Sequence, residues 1–148
     1  MSNTADQSSP ATVDADRVSA AFEALKTYDA GSGRATLWPL DEAVQRALKD
    51  HKGRTALERR FILILQGECS AVAKQYVCSK LALVGSKASV LAIAALLADP
   101  QVSASARTAL EKLPGTTAAK ALRASVGKLS GTAKVGALCS IGATRDSA

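Results

Sequence analysis

Apolar residues along this chain recur at a helical period. Val18, Phe22 and Leu25 are spaced by four and three, which lines one face of an α-helix. Asp14 or Asp16 stands where an N-cap would start that helix, and the stripe runs to about Tyr28. Residues 1–12 are polar and small and are expected to form a disordered leader before a single domain over 13–148. Residues 29–33, Asp-Ala-Gly-Ser-Gly, break the pattern. A Leu37-Trp38-Pro39-Leu40 turn then leads into a helix from Asp41 to Asp50 carrying Val44 and Leu48. Trp38 is expected to plug the end of a helix layer rather than stack on a ligand.

From Gly53 the pattern predicts helices over 55–66, 69–84, 87–98, 101–113, 117–129 and 132–141. The breaks are short: Gly67, Gly85-Ser86, Asp99-Pro100, Pro114-Gly115 and Ser130-Gly131. Short connections force consecutive helices to pack antiparallel. Gly85 and Gly115 suit helix C-termini, Ser86 and Thr116 suit the caps that follow, and Pro100 suits a first turn. Asp99 is expected to cap. Gly85-Ser86 returns thirty residues later as Gly115-Thr116, and Leu83 before Gly85 matches Leu113 before Gly115. A helix pair repeated at this period predicts an all-α fold, a right-handed alpha-alpha superhelix in which stacking completes each unit's core. The last unit reads as incomplete, which leaves an end for a partner or a second copy to cover.

Composition supports the helical reading. Apolar residues reach 47% but aromatics only 3%. Alanine and leucine favour helices, and small side chains let them approach closely. The longest apolar stretches, 61–65 and 90–98, are too short to cross a bilayer, and the N-terminus lacks a signal-peptide core. Cys69, Cys78 and Cys139 have no tight metal spacing. Cys78 and Cys139 lie in apolar runs and are expected to be buried small hydrophobes. Reduced thiols suit a cytoplasmic setting.

The quoted segments also resemble a known family. Tyr28-Asp-Ala-Gly, Leu40-Asp-Glu-Ala-Val, Leu96-Leu-Ala-Asp-Pro, the 73–86 stretch, Ala106-Arg-Thr-Ala-Leu-Glu-Lys-Leu-Pro-Gly and Val135-Gly-Ala-Leu-Cys-Ser-Ile-Gly-Ala-Thr-Arg-Asp are similar to HEAT-repeat (armadillo-like) proteins of the kind common in Planctomycetes and Verrucomicrobia. The resemblance covers most of 20–146 and implies the fold, with little about activity. Where such proteins carry two consecutive arginines before the last aspartate, this chain has Thr144-Arg145. HEAT scaffolds commonly bind proteins and sometimes nucleic acid.

The sequence carries no recognisable catalytic or cofactor signature. The single histidine, His51, sits between Asp50 and Lys52 in a hydrophilic stretch and reads as a solvated side chain. Glu58, Glu68, Asp99 and Glu111 form no Glu-x-x-His or His-Glu-x-x-His arrangement, and no phosphate-binding glycine motif is present. The expectation is therefore a non-enzyme without cofactor or metal. Charge is the remaining lead. The net charge is +6, yet residues 1–33 hold two basic and five acidic side chains (net −3) and the rest hold 17 and 8 (net +9). Arg107 and Lys134 occupy matching positions on second helices, and Lys74 lies on the second helix before them at another phase. These three form the candidate interaction surface, either for an acidic protein or for phosphates along nucleic acid. Arg107 is equally placed to pair with Glu111, four residues on. The leading reading is a protein-interaction scaffold, through a repeat face or the open end, with nonspecific nucleic-acid binding as the alternative.

Overall fold

The structure is a computed structural model that describes residues 9–145, with side chains as far as Thr144. Residues 1–8 of the expected leader lie outside the described residues. Among those described there are eight α-helices and no strand: α1 (Pro10–Lys26), α2 (Trp38–Ala47), α3 (His51–Gln66), α4 (Ala71–Val84), α5 (Val90–Ala94), α6 (Ser103–Lys112), α7 (Thr117–Val126) and α8 (Gly131–Arg145). Short 3-10 turns, Arg34–Leu37 and Lys87–Ser89, precede α2 and α5.

Helix starts depart from expectation wherever a better nucleating residue lies upstream. Pro10 occupies the first turn of α1, and its fixed φ pre-organises the helix there. Asp14 and Asp16 are therefore interior residues rather than caps. Asp14 instead meets Arg46 of α2 at 3.0 Å. Likewise α2 starts at Trp38, with Pro39 in its first turn. That register turns Leu37, Leu40, Val44 and Ala47 inward and leaves Trp38 60% exposed, so the tryptophan plugs no layer. Asp50 accepts from the N–H groups of Lys52 and Gly53, which pulls the start of α3 back to His51.

Ser70 caps α4 by accepting from Ala73 N–H at 3.0 Å, and its own hydroxyl donates to the Tyr28 carbonyl. Ser86 caps as expected, accepting from Ala88 N–H, whereas Thr116 makes no side-chain cap. The Thr116 backbone is helical rather than extended, so its hydroxyl cannot reach back to the first turn. Pro100 stands in the turn before α6 rather than inside it. Asp99 does not cap α6: its carboxylate takes the Gln101 N–H at 2.9 Å within the preceding turn, and α6 starts after Val102 without a side-chain cap. The expected 87–98 helix is split between the 3-10 turn and a short α5. Its last turns tighten through bonds from Leu96 to Ile93 and from Leu97 to Ala94 ahead of Pro100. Gly142 does not stop α8, which continues to Arg145, since one exposed glycine weakens a helix by only about 1 kcal/mol.

Each helix packs on its neighbours in a fixed scheme. Successive helices touch in the pairs α1–α2, α2–α3, α3–α4, α5–α6, α6–α7 and α7–α8. The even helices also touch in order, α2–α4–α6–α8, as do α3–α5–α7. One continuous core runs from Ala21 to Ala137. Phe22 and Phe61 meet within it with their rings tilted by 55° and their centroids 5.1 Å apart.

A buried polar clasp crosses this core. Glu58 of α3 is 4% exposed and accepts from Ser86 N–H at 2.6 Å, from the Ser86 hydroxyl and from the Ser89 hydroxyl. One turn earlier, Arg54 donates through Nε to the Val84 carbonyl at 3.0 Å and through Nη2 to that of Gly85. A side chain at Gly85 would overlap the Leu81 carbonyl and the Leu113 methyl, so only glycine fits beneath the clasp. Leu83 and Leu113, equivalent by repeat position, thus differ: Leu113 is buried against Gly85, while Leu83 is 42% exposed.

Replacing Glu58 with alanine strands three donors, the buried Ser89 hydroxyl and the half-buried N–H and hydroxyl of Ser86, each worth about 1–3 kcal/mol when unsatisfied. Glu58→Ala is expected to lower unfolding free energy by at least about 3 kcal/mol in urea titration, and Glu58→Gln by less, because it keeps one acceptor.

Candidate interaction surface

The three expected basic residues lie on three successively packed helices, Lys74 and Lys134 in the first turn or so of theirs and Arg107 at the middle of α6. Lys74 is half-buried in α4, Arg107 half-buried in α6 and Lys134 exposed in α8. No hydrogen bond or ion pair joins any of them to a partner among the described residues, and the Arg107–Glu111 pair does not form. Arg107 turns toward α8 instead. Its guanidinium lies over Gly136, where a Cβ would overlap it, and its Nε is buried without a partner. Lys74 acts on Cys69: burial pushes that thiol up, and the lysine charge opposes the shift.

Sequence reasoning missed the cavity that Arg107 borders. A space of about 380 Å³ opens between the start of α6 and the start of α8, lined by Ser103, Arg107, Lys128 and residues 130–133. The Ser103 hydroxyl is buried and unpartnered, as is that of Ser140 farther along the same α6–α8 seam. The signal available in the sequence was Lys128 placed two residues before the Ser130-Gly131 break. From Ser103 to Thr144, Glu111 is the only acid, against Arg107, Lys112, Lys120, Arg123, Lys128 and Lys134.

Apolar groups are also left uncovered. Leu91 is 81% exposed beside a shallow groove between α5 and α7. On α8, Ala137 and Ser140 face the core while Val135 (61%) and Leu138 (52%) face outward with Cys139. The expectation that Cys139 is buried is therefore corrected. α8 packs only along the face centred on Ala137 and Ser140, and Cys139 lies a third of a turn off it. Cys78 is fully buried, as expected.

Other chemistry is thinly represented. His51 is exposed at the first position of α3, and no cluster of three or more metal-ligating side chains occurs among the described residues. No helix among them is long and apolar enough to cross a membrane. The most perturbed titratable group is Tyr76, whose hydroxyl burial, then the neighbouring Asp41, push strongly up. It donates to Asp41 at 2.8 Å, and Lys80 meets the same carboxylate oxygen at 2.7 Å. Burial alone would raise Asp41, yet the bonds from Lys80 and Tyr76 and the charges of Lys80 and Arg34 outweigh it and hold the carboxyl below 3.8. Perturbed groups in a cleft signal chemistry. This trio borders none of the cavities described above and pins α2 to α4.

No protein-family model matches this chain, and no curated protein or solved structure is significantly similar to it. The surface is therefore read on its own chemistry: an unpaired basic stretch over α6–α8, a polar cavity within it, and an apolar face on α8.

Two measurements follow from these environments. Because folding lowers the Asp41 pKa, its contribution is complete above the ordinary carboxylate range and disappears as pH falls through the lowered value. Asp41→Asn is expected to lose about 1 kcal/mol at pH 7, modest because the pair is partly solvated, with the gap to wild type closing toward pH 2 in urea titrations. Burial pushes the Cys78 thiol up to about 12. A thiol reagent at pH 8 should therefore modify Cys139 first and Cys78 only once the protein unfolds, read by peptide mass spectrometry.

Proposed function

We propose that the protein is a non-enzymatic interaction scaffold, a right-handed HEAT-like solenoid that docks an acidic, amphipathic helical segment of another protein on α8. The observation that carries this reading is the outward face of α8, where Val135 and Leu138 stand uncovered while Ala137 and Ser140 pack inward. Among the described residues, α4 lies against α6 and α6 against α8, and no helix continues the order onto the outer side of α8. A helix laid there would complete the scheme by the same packing. Its apolar stripe would bury Val135 and Leu138, and its acids would meet the basic excess of α6–α8. The thirty-residue return of Gly-Ser and Gly-Thr, together with the ordered contacts of even and odd helices, supports the repeat reading. Three free cysteines suit a reducing, cytoplasmic setting.

One observation favours nonspecific nucleic-acid binding as the second reading. Six basic side chains face a single acid across Ser103 to Thr144, and Arg107 and Lys134 form no ion pair among the described residues. Such binding would weaken steeply with salt and be lost in the Arg107→Glu, Lys134→Glu double variant.

The test joins Cys139 to a cleavable cross-linker in native extract and compares wild type with the Val135→Asp, Leu138→Asp double variant. A defined conjugate containing an acidic amphipathic segment, absent from the variant, is the expected result. Identical conjugates from both proteins would overturn the docking face. A dimer in light scattering that the same variant dissolves would assign the face to a second copy instead.

A further inference from the structure

We infer that the cavity between α6 and α8 is a binding site for a phosphate-monoester group. The inference stands apart from the docking face of α8, and the failure of either leaves the other intact. Four features converge on this one space of about 380 Å³.

The first is the start of α8. Among the described residues the N–H groups of Gly131, Thr132 and Ala133 have no hydrogen-bond acceptor, and the ladder begins with Lys134 N–H on the Ser130 carbonyl at 3.3 Å. No acid stands in the first turn to offset them. A helix end of this kind presents donors and a partial positive charge to an anion. The start of α6 lies on the opposite wall, also without a side-chain cap or an acid.

The second is Ser103 on that wall. It is only 5% exposed, and its hydroxyl has no hydrogen-bond partner. A buried hydroxyl without a protein partner calls for one, which an ordered water or a bound group supplies. The third is Arg107, one turn further along α6, whose buried Nε is likewise unpartnered. Gly136 provides the room for its guanidinium, since a Cβ at that position would occupy the same space. A planar guanidinium is the side chain best shaped for two parallel bonds to a phosphate. The fourth is Lys128, which lines the cavity, is exposed and forms no ion pair among the described residues.

No acidic residue lines the cavity. Asp99, between wall residues Ala98 and Pro100, already engages its carboxylate with the Gln101 N–H. An anion therefore meets donors from helix ends, hydroxyl, guanidinium and ammonium without an opposing charge. Two basic side chains besides the helix end favour the dianionic charge of a monoester over the single charge of a diester. The volume leaves room for the group that carries the phosphate.

The experiment titrates the full chain with inorganic phosphate and with O-phosphoserine at constant ionic strength, reading thermal stability and chemical-shift changes against a chloride control. Saturable stabilisation by either ligand, beyond chloride, is the expected result. Response to phosphoserine above that to free phosphate would identify a phosphorylated side chain as the source, and the reverse would identify the free ion. Arg107→Gln should weaken binding by at least about tenfold, as expected for loss of a charged hydrogen-bonding partner.

Two further variants separate binding from folding. Thr132→Asp places a carboxylate at the start of α8, which favours the helix while competing for its N–H groups, so stability should hold or rise as phosphate binding disappears. Gly136→Ala should strengthen α8 yet displace the guanidinium, again weakening binding in a folded protein. Response equal to chloride, or affinity unchanged in the folded variants, would overturn the site and leave water as the partner of the buried groups. A dinucleotide phosphodiester bound as tightly as phosphoserine would overturn the monoester assignment.

Discussion

The clasp from α3 onto the turn between α4 and α5 is the constraint on which the middle of this structure depends. Alanine-rich helices pack closely but smoothly, and few large side chains interlock them. Glu58 and Arg54 supply what the apolar surface cannot, a directional hold on one short stretch of backbone. The carboxylate gathers donors from Ser86 and Ser89, while the guanidinium takes the carbonyls of Val84 and Gly85 that end α4. Together they fix where α4 stops and α5 begins, and hence where α6 lies against α4. A buried carboxylate is tolerated only when its oxygens are satisfied, and here they are.

The same economy of large side chains explains the other polar seams. Tyr76, Asp41 and Lys80 join α2 to α4 with one carboxylate oxygen shared by two donors. Arg60 lies over the Phe22 ring, 4.1 Å from its centroid, and ties α3 to α1. The α6–α8 seam departs from this habit. Ser103, Arg107 and Ser140 carry buried polar atoms with no protein partner, so this junction alone is left chemically open among the described residues.

Much of the helical layout was legible in the sequence because its causes are local. Short Gly-Ser, Asp-Pro and Pro-Gly breaks placed α3 to α7 within a few residues, and Ser86 revealed itself as a cap. What escaped depended on register or on distant neighbours. Trp38 looked like a plug, but Pro39 sets a helical phase that turns the ring to solvent. Cys139 sits in an apolar run whose inward members are Ala137 and Ser140, since small residues are what α6 and α7 admit. Arg107 and Lys134 were recognisable as a basic pair on matching helices. That Arg107 leans on Gly136 rather than pairing with Glu111 could not be read from spacing, because it joins two helices at positions 29 residues apart. Lys128 and Ser103 were missed for the same reason.

Ser70 has a consequence for how this protein opens. Its hydroxyl receives the first turn of α4 and donates to the Tyr28 carbonyl just past the end of α1, so one oxygen belongs to two segments 42 residues apart. Fraying of the chain after α1 removes the acceptor that orients this hydroxyl, and loosening of α4's first turn frees it from the other side. The two ends are thus coupled through that hydroxyl, and their amide protons are expected to exchange together.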